Sequence, residues 1–430
     1  AVAVLAPDDM PGLGVPVVAS PDPRRIYALA AAHFWGVQPP VVVAVTGTNG
    51  KTSVATFCRQ IFNTCGHRAA SMGTLGVRAT GPDGLDAQVT PGGLTTPDAA
   101  DVAELMSRLV REHGVTHLAL EASSHGVDQR RLDGVELTAA GFLNLTQDHL
   151  DYHGDMDSYR RAKQRLFETL LPRGATAVLN ADSDAYGAFA GSAVVSGQTV
   201  VSVGRAGQGL RLAAREMTPR GQRLVVAHEG REYRIDLPLV GEYQASNALV
   251  AAGLCIAAGE DPAVVIGALE TLEGAPGRLQ RVGAGPNGGE AYVDYAHTPD
   301  GLETILKALR PHVQGRLIVV FGAGGDRDRT KRPLMGRAAA ELADIAIVTD
   351  DNPRSEDPAA IRAEVMAGAA GLREVGGRGE AIKAAASLLA EGDVLVVAGK
   401  GHEQGQTIGS TVHPFNDVVE TARALGIAHG

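Results

Sequence analysis

Val41-Val42-Val43-Ala44-Val45-Thr46-Gly47-Thr48-Asn49-Gly50-Lys51-Thr52-Ser53 decides the fold. It is an apolar run, then a loop bounded by glycines, then a lysine–threonine pair, and it leads into a helical apolar pattern from Val54 to Phe62. Strand, phosphate loop and helix start is the reading. Gly47 and Gly50 reach backbone angles closed to other residues, so successive N–H groups can converge on phosphate oxygens at the positive end of a helix. Lys51 adds a point charge for the β and γ phosphates, and Thr52 a hydroxyl for Mg²⁺. The common pattern G-x-x-x-x-G-K-[ST] would place its first glycine at position 45, where this chain has Val45. A turn that merely contains glycines and a solvated lysine would need neither the strand before it nor the helix after it.

The 430 residues carry 39 basic and 49 acidic side chains, a net charge of −10. That balance argues against a general nucleic-acid binder and leaves anionic ligands to local basic sites. Aromatic residues are only 4% of the chain, too few for base-stacking platforms. Cys58, Cys65 and Cys255 form no C-x-x-C spacing, so neither a disulfide framework nor a zinc site is expected, and a reducing cytoplasm fits. The longest uncharged stretch, Ile26 to Gly50, is broken by Pro39-Pro40, and no membrane span is expected. No secretion signal opens the chain.

The length predicts about three domains. Ala1 to Ala6 reads as a strand already in progress, and residues 1–40 as a partial α/β domain ending at Pro39-Pro40. Residues 41–275 alternate strands (Val41–Val45, Thr116–Leu120, Ala139–Leu145, Ala175–Leu179, Val200–Val203) with helices (after Lys51, Ala99–His113, Met156–Leu170, Ser246–Ala258), which implies a mostly parallel sheet covered by helices. Short β-rich runs between Leu210 and Val240 read as appended hairpins. Gly274-Ala275-Pro276-Gly277 is the expected linker to residues 276–430, whose strands Ala291–Asp294, Leu317–Phe321, Ile345–Val348 and Val394–Val397 predict a second, doubly wound sheet.

Ligands of open α/β sheets bind beyond the carboxyl ends of the strands, and the chemistry-bearing residues sit there. Glu121, at the end of Thr116–Leu120, is placed to supply a carboxylate for Mg²⁺ beside the phosphate loop. Asp148-His149-Leu150-Asp151-Tyr152-His153 has histidines and aspartates without the partner set of a transition-metal site, so His149 is read as joining oxygen ligands around Mg²⁺ and His153 as structural. Tyr159, Arg160, Arg161, Lys163 and Arg165 form either a solvated basic face or an electropositive wall for a triphosphate site. In the last domain Asp294, the Gly322–Asp328 turn with Arg327, Asp350-Asp351-Asn352-Pro353-Arg354 and Gly399-Lys400-Gly401-His402-Glu403 all end strands. Carboxylates that hold an ammonium, with Arg354 or Arg327 holding a carboxylate, make a pocket for a zwitterion.

With these motifs the chain resembles the Mur ligase family over essentially its whole length, and within it the branch that forms the muramoyl tripeptide. The matching stretches are Thr46–Thr52, Glu121–Gly126, Asp148–Asp155, Asp294–Pro299 and Gly399–Glu403. The resemblance implies three domains, binding UDP, ATP and an amino acid. ATP and Mg²⁺ would be served by Gly47, Thr48, Asn49, Gly50, Lys51, Thr52 and Ser53, with Asn247, Arg278, Asp294 and His297 on the ATP side. Lys51, Glu121, His149 and Lys163 would be catalytic. Thr52, Glu121, His149 and a carbamylated Lys163 would ligate magnesium. Thr95, Thr96, Ser123, Gln129 and Arg131 match contacts to the UDP-muramoyl substrate. Arg327, Asp351, Asn352, Pro353, Arg354, Gly399 and Glu403 match contacts to meso-diaminopimelate, and Arg354 would grip its second carboxylate. The implied reaction is an ATP-driven amide ligation onto UDP-N-acetylmuramoyl-L-Ala-D-Glu through an acyl phosphate, in peptidoglycan precursor synthesis. The implied enzyme is a cytoplasmic monomer acting on small molecules. Addition of L-lysine, a folylpolyglutamate synthase-like ligation, and a nucleotide-binding module without turnover are the alternatives. Only about 40 residues precede the phosphate loop, so the uridine-contacting part is expected to be missing from this chain.

Overall fold

The computed structural model describes residues 3–7, 14–81 and 86–427. Two units can be distinguished. The first takes in Ala1–Arg215, Leu224–Leu237 and Gln244–Leu272, and the second Glu216–Arg223, Pro238–Tyr243 and Glu273–Gly430.

The first unit is built on an 11-stranded sheet. Its middle runs Thr176–Asn180, Ala139–Phe142, Val41–Thr46, His117–Glu121 and Ala69–Gly73, all parallel. Val41–Thr46 is buried on both faces, and so its sequence is an unbroken apolar run rather than an alternating one. Val45 stands in register with Glu121 on one side and Gly141 on the other. The phosphate loop, Glu121 and the segment after Phe142 therefore leave the sheet at the same edge. Gly76–Thr80 and Asp86–Thr90 close one end as antiparallel strands. At the other end lie Thr199–Gly204, Leu210–Thr218, Gly221–His228 and Arg231–Leu237, where short β-rich runs were expected.

Several boundaries move. The strand expected at Thr116–Leu120 is His117–Glu121, which puts Glu121 inside the sheet. The strand expected to reach Leu145 stops at Phe142, leaving a loop that ends in the short helix Leu150–His153. The helix expected over Met156–Leu170 is α-helical only to Arg165 and then widens into a π turn over Leu166–Leu170, closed by the Leu171 N–H donating to the Leu166 carbonyl at 2.8 Å. The helix expected from Ser246 starts at Glu242 and ends at Ala257. Of the strand expected at Ala1–Ala6, Val4–Ala6 forms and pairs in parallel with Val17–Ala19, while Ala1 and Val2 lie outside the described residues.

The second unit has a six-stranded sheet in the order Gln280–Ala284, Glu290–Asp294, Val394–Ala398, Leu317–Phe321, Ile345–Val348, Arg373–Glu374. Only the first strand is antiparallel to its neighbour. Val394–Ala398, late in the chain, lies between two earlier strands, and this reversal of order opens a crevice at the carboxyl ends. Alternate strand residues feed two cores. Val319, Phe321 and Val396 face one layer, and Ile318, Val320 and Leu395 the other. This is the doubly wound sheet the sequence predicts.

Candidate active site

Helix Lys51–Thr64 begins at Gly50, whose φ of 93° is open to glycine. A β-carbon there would stand 2.5 Å from Asn247 Oδ1 and 3.1 Å from Leu143 Cδ1, so Asn247 is packed directly against the loop. Asn247 is buried and its amide donates to Gln244 Oε1 at 3.0 Å. Asn144 ties down the other side. Its Oδ1 accepts from the Asn49 N–H at 2.9 Å, its Nδ2 donates to the Asn49 carbonyl at 3.1 Å, and its own carbonyl accepts from the Thr48 N–H at 3.0 Å. Lys51 Nζ donates to the Gly47 and Thr48 carbonyls at 2.9 and 2.8 Å. Ser53 is buried in the first turn. Gly47, Thr48, Asn49, Gly50, Lys51, Thr52, Ser53 and Asn247 are thus brought together.

Glu121 lies beneath the helix start, 3% exposed. Its Oε2 accepts from Thr52 Oγ1 at 3.1 Å and from Thr74 Oγ1 at 3.2 Å, and its Oε1 accepts from the Thr74 N–H at 2.9 Å. A carboxylate and hydroxyls in one cluster are the hard oxygen donors that suit Mg²⁺. Thr74 Oγ1 also meets Thr95 Oγ1 at 3.0 Å. Thr96 Oγ1 donates to the Glu121 carbonyl at 2.8 Å and lies 2.9 Å from Ser123 Oγ. Arg131 donates to the Thr96 carbonyl at 2.7 Å and to Gln129 Oε1 at 2.6 Å. The residues matched to the UDP-muramoyl substrate therefore branch from Glu121 in two ways, Thr95 through Thr74 from its carboxylate and Thr96, Ser123, Arg131 and Gln129 from its backbone carbonyl.

Lys163 and Tyr159 are one helical turn apart on the buried face of Met156–Arg165, while Arg160 and Arg161 point to solvent. The basic helix of the sequence thus divides by face. Lys163 is 1% exposed, donates from Nζ to the Gly47 carbonyl at 2.9 Å, and sits 4.5 Å over the Tyr159 ring. Burial, and then the charge of Lys51, hold its amine well below the ordinary 10.5. Tyr159 OH meets Thr48 Oγ1 at 3.2 Å, and burial pushes its phenol up to about 12.

His149 caps the helix Leu150–His153 with a left-handed backbone, φ 53°. Its ring meets His125 edge-on at 4.9 Å, and His125 in turn lies 4.2 Å from the Tyr152 ring and 5.4 Å from His153. Burial and then the neighbouring imidazole, His149 for His125 and His125 for His153, lower the pKa of both His125 and His153. His153, read as structural, has a buried Nε2 with no hydrogen-bond partner.

In the second unit, Asn352 and Glu403 share Lys400. Lys400 Nζ, fully buried, donates to Asn352 Oδ1 at 2.9 Å and to Glu403 Oε2 at 2.7 Å, and Asn352 Nδ2 donates to the same Glu403 oxygen at 3.0 Å. Asp351 is buried, and its Oδ2, which has no hydrogen bond, stands 3.9 Å from Arg378. A β-carbon on Gly399 would come within 2.6 Å of that same oxygen, so glycine is required there. Arg354, after Pro353, takes a left-handed backbone at φ 52° and donates from its guanidinium to the Gly325 carbonyl at 2.7 Å. Arg327 donates to the Asp326 carbonyl at 3.3 Å. The residues matched to diaminopimelate thus gather around the carboxyl ends of Leu317–Phe321, Ile345–Val348 and Val394–Ala398. Arg278, Asp294 and His297, matched to ATP, belong to the second unit. Arg278 lies over the Tyr295 ring at 5.0 Å, Asp294 accepts the Leu279 and Ala296 N–H groups at 2.7 and 2.8 Å, and His297 Nδ1 meets the Tyr295 carbonyl at 2.9 Å. Burial raises the pKa of Asp294 against the pull of Arg278.

Sequence reasoning gave no role to Thr74, Asn144, Lys400 or Gln406, whose amide donates to the Asp351 carbonyl at 2.6 Å. Asn144 and Lys400 stood inside stretches already singled out. Thr74 and Gln406 carry no pattern of their own.

Residues 45–255 match the Mur ligase middle domain, and residues 277–401 match the Mur ligase, glutamate ligase domain. A UDP-N-acetylmuramoyl-L-alanyl-D-glutamate–2,6-diaminopimelate ligase of Caulobacter vibrioides is 70% identical over 99% of this chain and 87% of its own length. A solved structure of a ligase of the same name is 35% identical, covers 97% of this chain and 85% of its own, and superposes with a TM-score of 0.74. A Mycobacterium tuberculosis folylpolyglutamate synthase solved with ADP and AMPPCP, 21% identical over 87% of this chain and 92% of its own, shares the fold with a TM-score of 0.67.

Proposed function

Because this chain belongs to the Mur ligase family, we propose that it joins meso-diaminopimelate to the D-glutamate of UDP-N-acetylmuramoyl-L-Ala-D-Glu at the expense of ATP, in peptidoglycan precursor synthesis. The observation that carries this reading is the 70% identity, over 99% of the chain, to a ligase of that name. The D-glutamate carboxylate attacks the γ-phosphorus of ATP, giving an acyl phosphate and releasing ADP. An amine of diaminopimelate then attacks the acyl carbon, the amide forms and inorganic phosphate leaves. The first step brings a carboxylate against a triphosphate, and the chain's task is to offset that repulsion.

Lys51 supplies a cation at the loop, and the first-turn N–H groups of Lys51–Thr64 add the positive end of a helix. Thr52 and Glu121, with His149 and the carbamate of Lys163, would hold Mg²⁺, which would neutralise phosphate charge when bound. Lys163 is suited to become a carbamate. Burial and the charge of Lys51 favour the neutral amine, the form that adds to carbon dioxide with loss of a proton. Thr95, Thr96, Ser123, Gln129 and Arg131 orient the muramoyl substrate. In the second unit, Asp351, Glu403 and Asn352 receive an ammonium group, Gly399 leaves it room, and Arg327 and Arg354 with the adjoining Pro353 turn take carboxylates. Arg278, Asp294 and His297 act on the nucleotide. Residues 41–275 are assigned to an ATP domain, 276–430 to an amino-acid domain and 1–40 to part of a UDP domain. The enzyme is read as a cytoplasmic monomer acting on small molecules and not on nucleic acid. Among the described residues no helix is long and apolar enough to cross a membrane.

The test is release of ADP from Mg·ATP and UDP-muramoyl dipeptide with meso-diaminopimelate, L-lysine, or a folate plus glutamate as the other substrates. Turnover with meso-diaminopimelate alone is expected. Equal rates with lysine would overturn the specificity, and tight ATP binding without turnover on any substrate would make the chain a nucleotide-binding module.

A further inference from the structure

His67, His117 and Glu260 meet at the amino-terminal end of the His117–Glu121 strand, the end away from Glu121 and the phosphate loop. His67 Nε2 is 2.9 Å from Glu260 Oε1, and His117 Nε2 is 3.5 Å from the same oxygen. One ligand atom from each of the three residues fits within a span of 4.8 Å. The two imidazoles stack at 3.8 Å with only 24° between their planes, so both rings present the same edge to the carboxylate. We propose that these three side chains form a binding site for a borderline divalent transition-metal ion, with Zn²⁺ the best fit, separate from the magnesium chemistry of the phosphate loop.

The donor set argues for that class. Two imidazole nitrogens and one carboxylate oxygen suit Zn²⁺, whereas Mg²⁺ takes oxygen ligands. With bonds of about 2.0–2.1 Å to a tetrahedral ion, donor atoms stand about 3.3 Å apart. The two distances to Glu260 straddle that value, and an ion would enter as the partly exposed His67 ring rotates out of its stack on His117 so that both Nε2 lone pairs converge. Three protein ligands leave a fourth position for water, reached past His67, which is 34% exposed.

The site is held by rigid elements. His67 follows Gly66, where the Lys51–Thr64 helix ends in a left-handed turn at φ 91°, with the His67 N–H returned to the Phe62 carbonyl at 3.0 Å. Glu260 follows Gly259, φ 105°, just past the helix Glu242–Ala257, with its N–H returned to the Cys255 carbonyl at 3.2 Å. Two helix carboxyl ends therefore converge on the cluster, and their partial negative charge favours a cation. His117 Nδ1 lies 2.9 Å from Thr116 Oγ1, a contact that orients the ring and leaves Nε2 for a ligand.

The experiment uses full-length, untagged protein stripped with a chelator and titrated with Zn²⁺ against a chromogenic competitor. One tightly bound equivalent is expected, with Co²⁺ giving the visible bands of a tetrahedral site. His67→Ala and Glu260→Gln should each weaken that equivalent at least tenfold, and zinc should raise the melting temperature of the parent but not of these variants. His149→Ala, in the other histidine cluster, should leave this equivalent unchanged. Absence of saturable binding, or an affinity unchanged in both His67→Ala and Glu260→Gln while their circular dichroism stays native, would overturn the site. So would loss of the equivalent in His149→Ala alone.

Discussion

Two residues at the phosphate loop have opposite kinds of leverage. Gly50 acts by having no side chain. Alanine there would be strained at φ 93° and would displace Asn247, so Gly50→Ala is expected to destabilise the first unit by about 1–3 kcal/mol and to raise the KM for ATP, read by denaturant unfolding and initial rates. Lys163 acts, on the proposed reading, through the carbamate that its buried amine can form. Lys163→Ala is expected to lower kcat by about 10²–10³. Incubation with ¹³C-bicarbonate should give the parent a carbamate resonance that the variant lacks, and unchanged turnover would remove Lys163 from the proposed machinery. The loop and Glu121 could be picked out in the sequence because each falls inside a short motif, whereas Lys163, one of several basic residues on its helix, was singled out only by the family resemblance. Which way they face could not. The helix carrying Lys163 looks uniformly basic in sequence, and only packing separates buried Tyr159 and Lys163 from the solvated arginines between them.

At the level of strands and helices, the parallel sheets were legible because strands buried on both faces read as apolar runs. Their exact ends were not, since the chain continues with residues that suit either a strand or a loop, as Leu143–Leu145 shows. The π turn at Leu166–Leu170 left no signal, because an apolar helix pattern looks the same in either winding. Buried polar links between strands were equally silent. Asp393 is one of these. It accepts from the Arg316 N–H at 2.6 Å, from the Arg316 guanidinium at 2.5 and 3.1 Å, and from the Ala390 N–H at 3.0 Å, tying the starts of Leu317–Phe321 and Val394–Ala398 together. Burial opposes its charge, but Arg316 and the backbone donors outweigh burial and hold the carboxyl below 3.8. A depressed carboxyl adds stability that is fully present above the ordinary aspartate range and is lost as pH falls through the native value. Asp393→Asn should therefore cost about 1–2 kcal/mol at neutral pH, allowing for the half-exposed Arg316. The gap from the parent should close on acidification below pH 3.8, as followed by thermal melts across pH.

For the whole molecule, the three cysteines report on integrity. Cys58 and Cys255 are buried and Cys65 is partly buried, all as free thiols, and burial with the nearby Glu260 charge pushes Cys65 up to about 11. The native protein should react slowly with a thiol reagent and release the full count of three only when unfolded, and reductant should leave its melting temperature unchanged. Fast reaction of more than one thiol in native buffer would contradict the packing around the Lys51–Thr64 helix.

Arg354 owes its pose to chain far from it in sequence. Its N–H donates to the Thr407 carbonyl at 3.1 Å and its carbonyl accepts from the Gly409 N–H at 2.7 Å, so the hairpin of Gly405–Ile408 and Thr411–Pro414 holds the strained turn in place. On the proposed reading, a shift in amino-acid preference is then a change of two segments. Exchanging the arginine alone would discard the grip on one substrate without shaping a seat for another, and a lineage or an engineer altering diet would have to move the hairpin with it.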